Sequence, residues 1–197
     1  MARPNQSAAR RQQLLPEVAR TFAQLGYART TTAELARRCG VRENILYRLW
    51  HDKQAMFIAS IDYVYQLSSE IWRRLHRPGE PMLSAAERLL HYEARHHGEF
   101  GFYRIVFASL SETQDPEIRA AVSRMYRRFH RFLCRQVETH RKRSRGRRRP
   151  DAALSAWALV GLGTVANIGR EFGLLSPGAR VRLVEQAGRL LLEGRDD

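Results

Sequence analysis

The stretch RENILYR sets Arg42, Glu43, Asn44, Tyr47 and Arg48 close together along the chain. These side chains suit the edges of base pairs: arginine can donate two bonds to guanine, asparagine can pair with adenine, and glutamate can accept from cytosine. Tyr47, His51 and Lys53 suit phosphate contacts, as do the hydroxyls of Thr31 and Thr32 upstream. The chemistry is recognition of duplex nucleic acid, and it requires a helix that turns one face outward while its other face is anchored.

The surrounding segment TTTAELARRCGVRENILYRLW supplies that support. Thr31 and Glu34 form a Thr-x-x-Glu capping box that starts a helix ending at Gly40. Leu35 and Ala36 point inward from it, Gly40 and Val41 make the turn, and a second helix runs from about Arg42 to Leu49. Ile45, Leu46 and either Leu49 or Trp50 anchor this second helix. Two short helices joined by a tight glycine-containing turn can place one helix in the major groove and the other across the backbone.

The rest of the chain also reads as helical, with no alternating strand pattern. Leu14, Leu15, Val18, Ala19, Phe22 and Ala23 form an apolar stripe on a first helix that stops before Gly26. Pro16 places either the start of that helix or a kink nearby. Asp52 caps a fourth helix running to about Leu75, with Phe57, Ile61, Val64, Tyr65, Ile71, Trp72 and Leu75 on one face. Pro78, Gly79 and Pro81 end it. Five further helices are expected at about Met82 to His97, Phe100 to Glu112, Pro116 to His140, Asp151 to Phe172, and Pro177 to Leu192. The expected class is all-α, about nine helices in total.

With 34 Lys+Arg against 20 Asp+Glu, the 197-residue chain carries a formal charge of +14, a field that favours polyanionic partners. Its start, MARPNQSAARRQQLLPEV, is basic and lacks an apolar run of signal-peptide length. Cys39 and Cys134 are far apart and outside any zinc-type spacing, so a reduced, cytoplasmic setting is expected. Cys39 reads as a small buried residue, despite Arg37 and Arg38 nearby.

Several other chemistries fit less well. GLGTVA, Gly161 to Ala166, resembles a dinucleotide fingerprint but sits in a helical segment without a preceding strand, which disfavours a nucleotide-binding enzyme. Glu93 and His97 share a helical face at a metal-compatible spacing, but no third ligand is evident and no metal is expected. No trio of nucleophile, base and orienting group appears, so neither enzymatic activity nor a cofactor is expected. Ala152 to Gly169 is uncharged and barely long enough to span a bilayer, yet its small residues and Asn167 make it a poor membrane segment. The Arg141 to Arg149 run reads as a helix end and exposed connection, with contact to flanking DNA as the sharper alternative.

From Leu14 to Phe57 the chain resembles the TetR/AcrR family of transcription regulators. The resemblance rests on Leu14-Leu15, Phe22, Gly26-Tyr27, Thr30-Thr31, Leu35-Ala36, Cys39-Gly40-Val41, Leu46-Tyr47, Trp50 and Lys53 in order. Arg42 and Asn44 depart from the small residues usual there, so the resemblance does not carry over an operator sequence. It implies a DNA-binding domain at residues 1–50, a linker helix at 51–77, and an effector-binding and dimerisation domain at 78–197. Its larger domain would enclose a ligand cavity, with candidate lining residues Tyr92, His96, Phe100, Tyr103, Arg104, Phe107, Tyr126, Phe129, Trp157 and Asn167. The last two helices would form the homodimer interface, with Gly161, Thr164, Val165, Val184 and Leu191 as candidates. The implied function is a regulator, most often a repressor, released from palindromic duplex DNA by a small molecule. The alternative is a nonspecific basic nucleic-acid binder.

Overall fold

The computed structural model describes residues 3–75, 84–142 and 150–193, with side chains from Gln6 onward. Among these residues there are nine helices and no strand: α1 (Arg3–Arg29), α2 (Thr32–Arg38), α3 (Glu43–Leu49), α4 (Lys53–Leu75), α5 (Ala85–His96), α6 (Tyr103–Leu110), α7 (Pro116–Arg141), α8 (Ala152–Glu171) and α9 (Pro177–Glu193). The expected stop at Pro78, Gly79 and Pro81, the expected start at Met82 and most of the Arg141 to Arg149 run lie outside the described residues.

Several boundaries differ from expectation for identifiable reasons. α1 begins at Arg3 and includes Pro16, and its break in helical dihedrals falls at Gly26, where φ is 74°. Only half of the expected capping box forms on α2: Thr31 Oγ1 accepts from the Glu34 amide at 3.2 Å, but Arg37 and Arg38 take up the Glu34 carboxylate. A reciprocal box instead starts α5, where Ser84 Oγ accepts from the Glu87 amide and Glu87 accepts from the Ser84 amide. α6 starts at Tyr103 rather than Phe100, because Gly101 adopts φ 70° just ahead of it.

The chain divides into two compact units, residues 1–68 with 100–125 and residues 69–99 with 126–197. α4 and α7 each contribute residues to both units.

In the first unit α1 packs against α2, α3 and α6. Val18 and Phe22 of α1, Leu35 of α2 and Leu46 of α3 are fully buried, so the apolar spacing read from the sequence becomes the shared core of the three helices. Phe22 and Phe57 meet edge to face at 5.0 Å between ring centroids, and Tyr27 lies 4.8 Å from Phe57, joining the start of α4 to this core. Burying one such aromatic or leucine side chain stabilises the fold by about 1.5–3 kcal/mol.

In the second unit α9 packs against both α5 and α8. A Cβ added at Gly188 would lie 2.2 Å from Leu90 Cδ1, so the missing side chain permits the close approach of α9 to α5. Arg141 donates to the carbonyls of Leu191 and Leu192 and to Ser155 Oγ, tying the end of α7 to the last turn of α9 and the first turn of α8. α8 is the one described helix long and apolar enough to cross a membrane by length and composition, and 28% of its apolar window is buried.

Candidate nucleic-acid interface

The turn between α2 and α3 is set by Gly40, whose φ of 63° is a left-handed conformation that side-chain-bearing residues rarely adopt. Val41 then donates its amide to the Ala36 carbonyl at 3.0 Å, closing the corner. Arg42 occupies the N-cap position of α3 in an extended conformation without a side-chain capping bond, and Glu43 in the first turn complements the positive end of the helix dipole.

α3 has two distinct faces. Leu46, Leu49 and Trp50 are buried and Ile45 is half-buried, whereas Arg42, Glu43, Asn44, Tyr47 and Arg48 are exposed. Tyr47 is 49% exposed and its hydroxyl donates to Thr32 Oγ1 at 3.2 Å, linking the outward faces of α3 and α2. Thr31 is exposed beside it and already serves as the α2 cap.

The two remaining sequence candidates are more constrained. His51 is exposed, with Nδ1 3.0 Å from Asp52 Oδ2. Lys53 is half-buried; its ammonium donates to the Tyr27 carbonyl at 3.2 Å and lies 4.3 Å from the Tyr27 ring centroid, a cation–π contact. Asp52 supplies the expected cap of α4, accepting from the Ala55 amide at 2.7 Å. Its carboxyl is held below the usual range, chiefly by that backbone bond and by His51.

Arg11 was missed by sequence reasoning. Its guanidinium donates to the carbonyl of Leu49, at the end of α3, and lies 5.6 Å from the Trp50 ring centroid. No local spacing rule connects residues so far apart in sequence. Glu34 is likewise more than a helix starter: bonds from Arg37 and then Arg38 pull its carboxyl down to about 2. Burial pushes the Cys39 thiol up to about 11, with Glu17 adding to the effect, so Arg37 and Arg38 do not create a reactive thiolate.

The candidate effector residues fall into separate groups. In the first unit, Phe100 is 56% exposed, Arg104 is exposed, and Tyr103 meets Phe107 edge to face at 5.6 Å. In the second, Phe129 and Phe132 pack on Trp72, whose Nε1 donates to Glu93 Oε1 at 2.6 Å. Glu93 Oε2 lies 2.7 Å from His97 Nδ1, and His97 Nε2 is 3.0 Å from both the Gly163 carbonyl and Asn167 Nδ2. The spacing suggestive of a metal pair is thus a hydrogen-bonded Glu93–His97 pair.

Asn167 is 6% exposed, and its Oδ1 is buried without a partner. His96, rather than His97, was the sequence candidate, but one residue along a helix rotates a side chain by about 100°. His96 accordingly lies exposed, stacked on Tyr92 and paired with Glu99. Tyr126 hydrogen-bonds Thr164; burial raises its phenol despite the opposing effect of that bond. Trp157, expected in a pocket, is 46% exposed on α8 and stacked on His130.

The candidate dimer residues also separate. Gly161 and Val165 lie on the exposed face of α8, together with Leu154, Trp157, Ile168 and Phe172. Thr164 is half-buried and turned to Tyr126, while Leu191 offers its carbonyl to Arg141. Val184, expected at a subunit interface, is instead 6% exposed within its own chain's core beside Ala86, Leu90 and Ala166. Its place in the α9 repeat faces α5 and α8 rather than outward. Gly161 to Ala166 lies inside α8, without the strand–turn–helix context of a dinucleotide site.

The comparisons with known proteins agree with this geometry. Residues 17–60 match the family described as bacterial regulatory proteins, tetR family. No curated protein matches the chain. A TetR-family transcriptional regulator from Cytophaga hutchinsonii is similar in fold, with a TM-score of 0.76 at 15% identity over 97% of this chain and 98% of that one. The fatty acid degradation regulator FadR from Bacillus halodurans has a TM-score of 0.73 at 14% identity, over 93% of this chain and 94% of that one. A transcriptional regulator from Saccharomonospora viridis, solved in complex with choline, has a TM-score of 0.73 at 16% identity over 95% and 97% of the two chains. At these identities the structural likeness establishes the fold. The buried anchors and outward face of α3 form the second helix of a helix-turn-helix that lies within residues 17–60, the part that matches the tetR family. The family match covers residues 17–60, and over the rest of the chain the likeness is one of fold alone.

Proposed function

We propose that the chain is a homodimeric repressor that binds a roughly palindromic operator and leaves it when a small-molecule effector binds. The carrying observation is the division of α3 into the buried anchors Leu46, Leu49 and Trp50 and the exposed Arg42, Glu43, Asn44, Tyr47 and Arg48. That exposed set can read base edges, and Thr31, Thr32 and His51 would position the helix on phosphates, with Lys53 contributing its charge from beside Tyr27. Residues 1–50 would act as the DNA-binding domain, 51–77 as the linker and 78–197 as the effector-binding and dimerisation domain, working in the cytoplasm.

The dimer is supported by α8. Leu154, Trp157, Val165, Ile168 and Phe172 recur at helical spacing and remain exposed, a patch that a single soluble chain rarely leaves uncovered. A second copy placing its α8 and α9 against these residues would cover the patch and fix the spacing of two α3 helices. Effector binding is supported by the family and by the fold shared with a choline complex. In this mechanism the effector favours a state in which the two α3 helices have a different spacing, and operator affinity falls by the difference in its affinity for the two states.

The test is selection of bound sequences from a random duplex library at about physiological salt, where phosphate-only binding is weakened. Recovery of a pseudo-palindrome with two similar half-sites supports the proposal. Recovery of no motif contradicts it and favours the nonspecific reading of the +14 charge.

A further inference from the structure

The first turns of α1 carry a surface that the proposed reading by α3 does not use. Residues 6–13 are exposed, and burial begins at Leu14. The segment precedes residues 17–60, the part that matches the family. A helix segment without an apolar stripe gains little from packing against its own fold.

Its chemistry points to a polyanion. No Asp or Glu precedes Glu17, whereas Arg3, Arg10 and Arg11 all do. The free amides at the start of the helix add to the positive field. With neither an apolar nor an acidic face, the segment suits neither a membrane nor a basic partner.

Arg11 fixes where the charge lies. By donating to the Leu49 carbonyl and resting on Trp50, it ties this part of α1 to the C-terminal end of the reading helix. Arg10 has a different role: it is exposed and bonds within its own helix to Gln13 Oε1 at 2.7 Å. That i,i+3 contact between exposed side chains is weak enough to exchange for a charged acceptor.

Resting on the operator reading above, we infer that residues 6–13 bind the phosphate backbone of duplex DNA just outside the half-site read by α3, with Arg10 making the contact and Arg11 holding the segment beside α3. A helix of this length rises about 10 Å, enough to follow a few phosphates. The contact adds affinity without adding base specificity, because phosphate contacts carry no direct sequence information.

The test uses the full-length chain and its Arg10→Gln variant, in which glutamine keeps helix propensity at an exposed position. Affinity for the selected operator is measured across a salt series on two duplexes, one with flanking base pairs and one trimmed to the half-sites. Phosphate ethylation interference maps the backbone contacts. On the flanked duplex, the salt slope of log K should fall by about 0.9 per subunit, or about 1.8 for a dimer. The advantage of wild type over variant should then shrink by about tenfold between 50 and 200 mM salt. Interference at flanking phosphates should disappear in the variant, and the trimmed duplex should bind both proteins alike. Equal slopes and identical interference maps for the two proteins on the flanked operator would overturn this inference while leaving the operator reading intact. A wild-type chain that selects no motif would overturn both.

Discussion

Gln54 Nε2 donates to both carboxylate oxygens of Asp115, at 3.0 and 2.8 Å, while Asp115 Oδ1 also accepts from the amides of Glu117 and Ile118 in the first turn of α7. One carboxylate therefore caps α7 and ties it to the first turn of α4, directly after α3. Asp115→Ala removes both functions and should cost about 1–3 kcal/mol, whereas Gln54→Ala removes only the tie and should cost about 0.5–1.5 kcal/mol. Urea unfolding measures the two losses; a larger loss for Gln54→Ala would contradict this division of roles.

The Tyr47–Thr32 bond gives a prediction about DNA that is separable from assembly. Tyr47→Ala should weaken operator binding by about five- to tenfold, the effect of one lost hydrogen-bonded phosphate contact of about 1–1.4 kcal/mol, while sedimentation still reports a dimer. Loss of the dimer with unchanged DNA affinity per subunit would contradict the placement of Tyr47 on the DNA face.

Two glycines of α8 should respond differently to alanine. A Cβ at Gly163 would lie 2.9 Å from two His97 ring atoms, forcing the imidazole away from the Gly163 carbonyl and Asn167 at a cost of about 1–3 kcal/mol. At Gly161 no atom lies within 4 Å, so Ala there meets no obstacle inside its own chain and gains helix propensity. Equal stability of the two variants in thermal unfolding would refute this assignment of faces.

Val165→Glu tests the proposed interface directly. It adds a charge to the exposed α8 face without disturbing the core, so sedimentation at micromolar protein should shift from dimer to monomer with helix content retained. A variant that remains dimeric would move the interface elsewhere.

The acid and alkaline limits of the α2 region follow from two shifted groups. Glu34 titrates at about 2 instead of 4.5, so its ties to Arg37 and Arg38 persist above its ordinary value and are lost as pH falls from there through about 2. Being exposed, this network should have only a small effect on global stability. Cys39, raised to about 11, remains a thiol at neutral pH and should react with alkylating reagents more slowly than a free cysteine. Carboxyl NMR and the pH dependence of alkylation check the two values; an ordinary midpoint for either would contradict the local geometry.

The exposed face of α3 was legible because it depends on short-range rules: a left-handed Gly40, a Thr31 cap and the 3.6-residue spacing of Leu46 and Trp50. Where several groups compete for one partner, sequence reading was less complete. Glu34 fits a capping box, but two neighbouring arginines claim its carboxylate. The Ser84–Glu87 box follows the same Ser-x-x-Glu spacing and could have been found from sequence alone. Arg11 with Leu49, Gln54 with Asp115, and His97 with Gly163 join residues far apart in sequence, beyond any periodicity. On α8, Trp157 and Val165 lie outward, while α9 turns Val184 inward. Composition could not resolve the faces of α8, which mixes small and apolar residues on all sides, whereas the charges of α9 at Arg182, Glu185 and Arg189 leave Val184 on its apolar side.

The central claim is that α3 reads sequence rather than charge alone. It is tested most directly by measuring affinity for the selected operator and for a scrambled duplex of the same length and composition at about physiological salt. The account predicts that the operator binds at least about 10³-fold more tightly and that Asn44→Ala together with Arg42→Ala removes most of that ratio. Equal affinity for the two duplexes, with the same steep salt dependence on each, would contradict it.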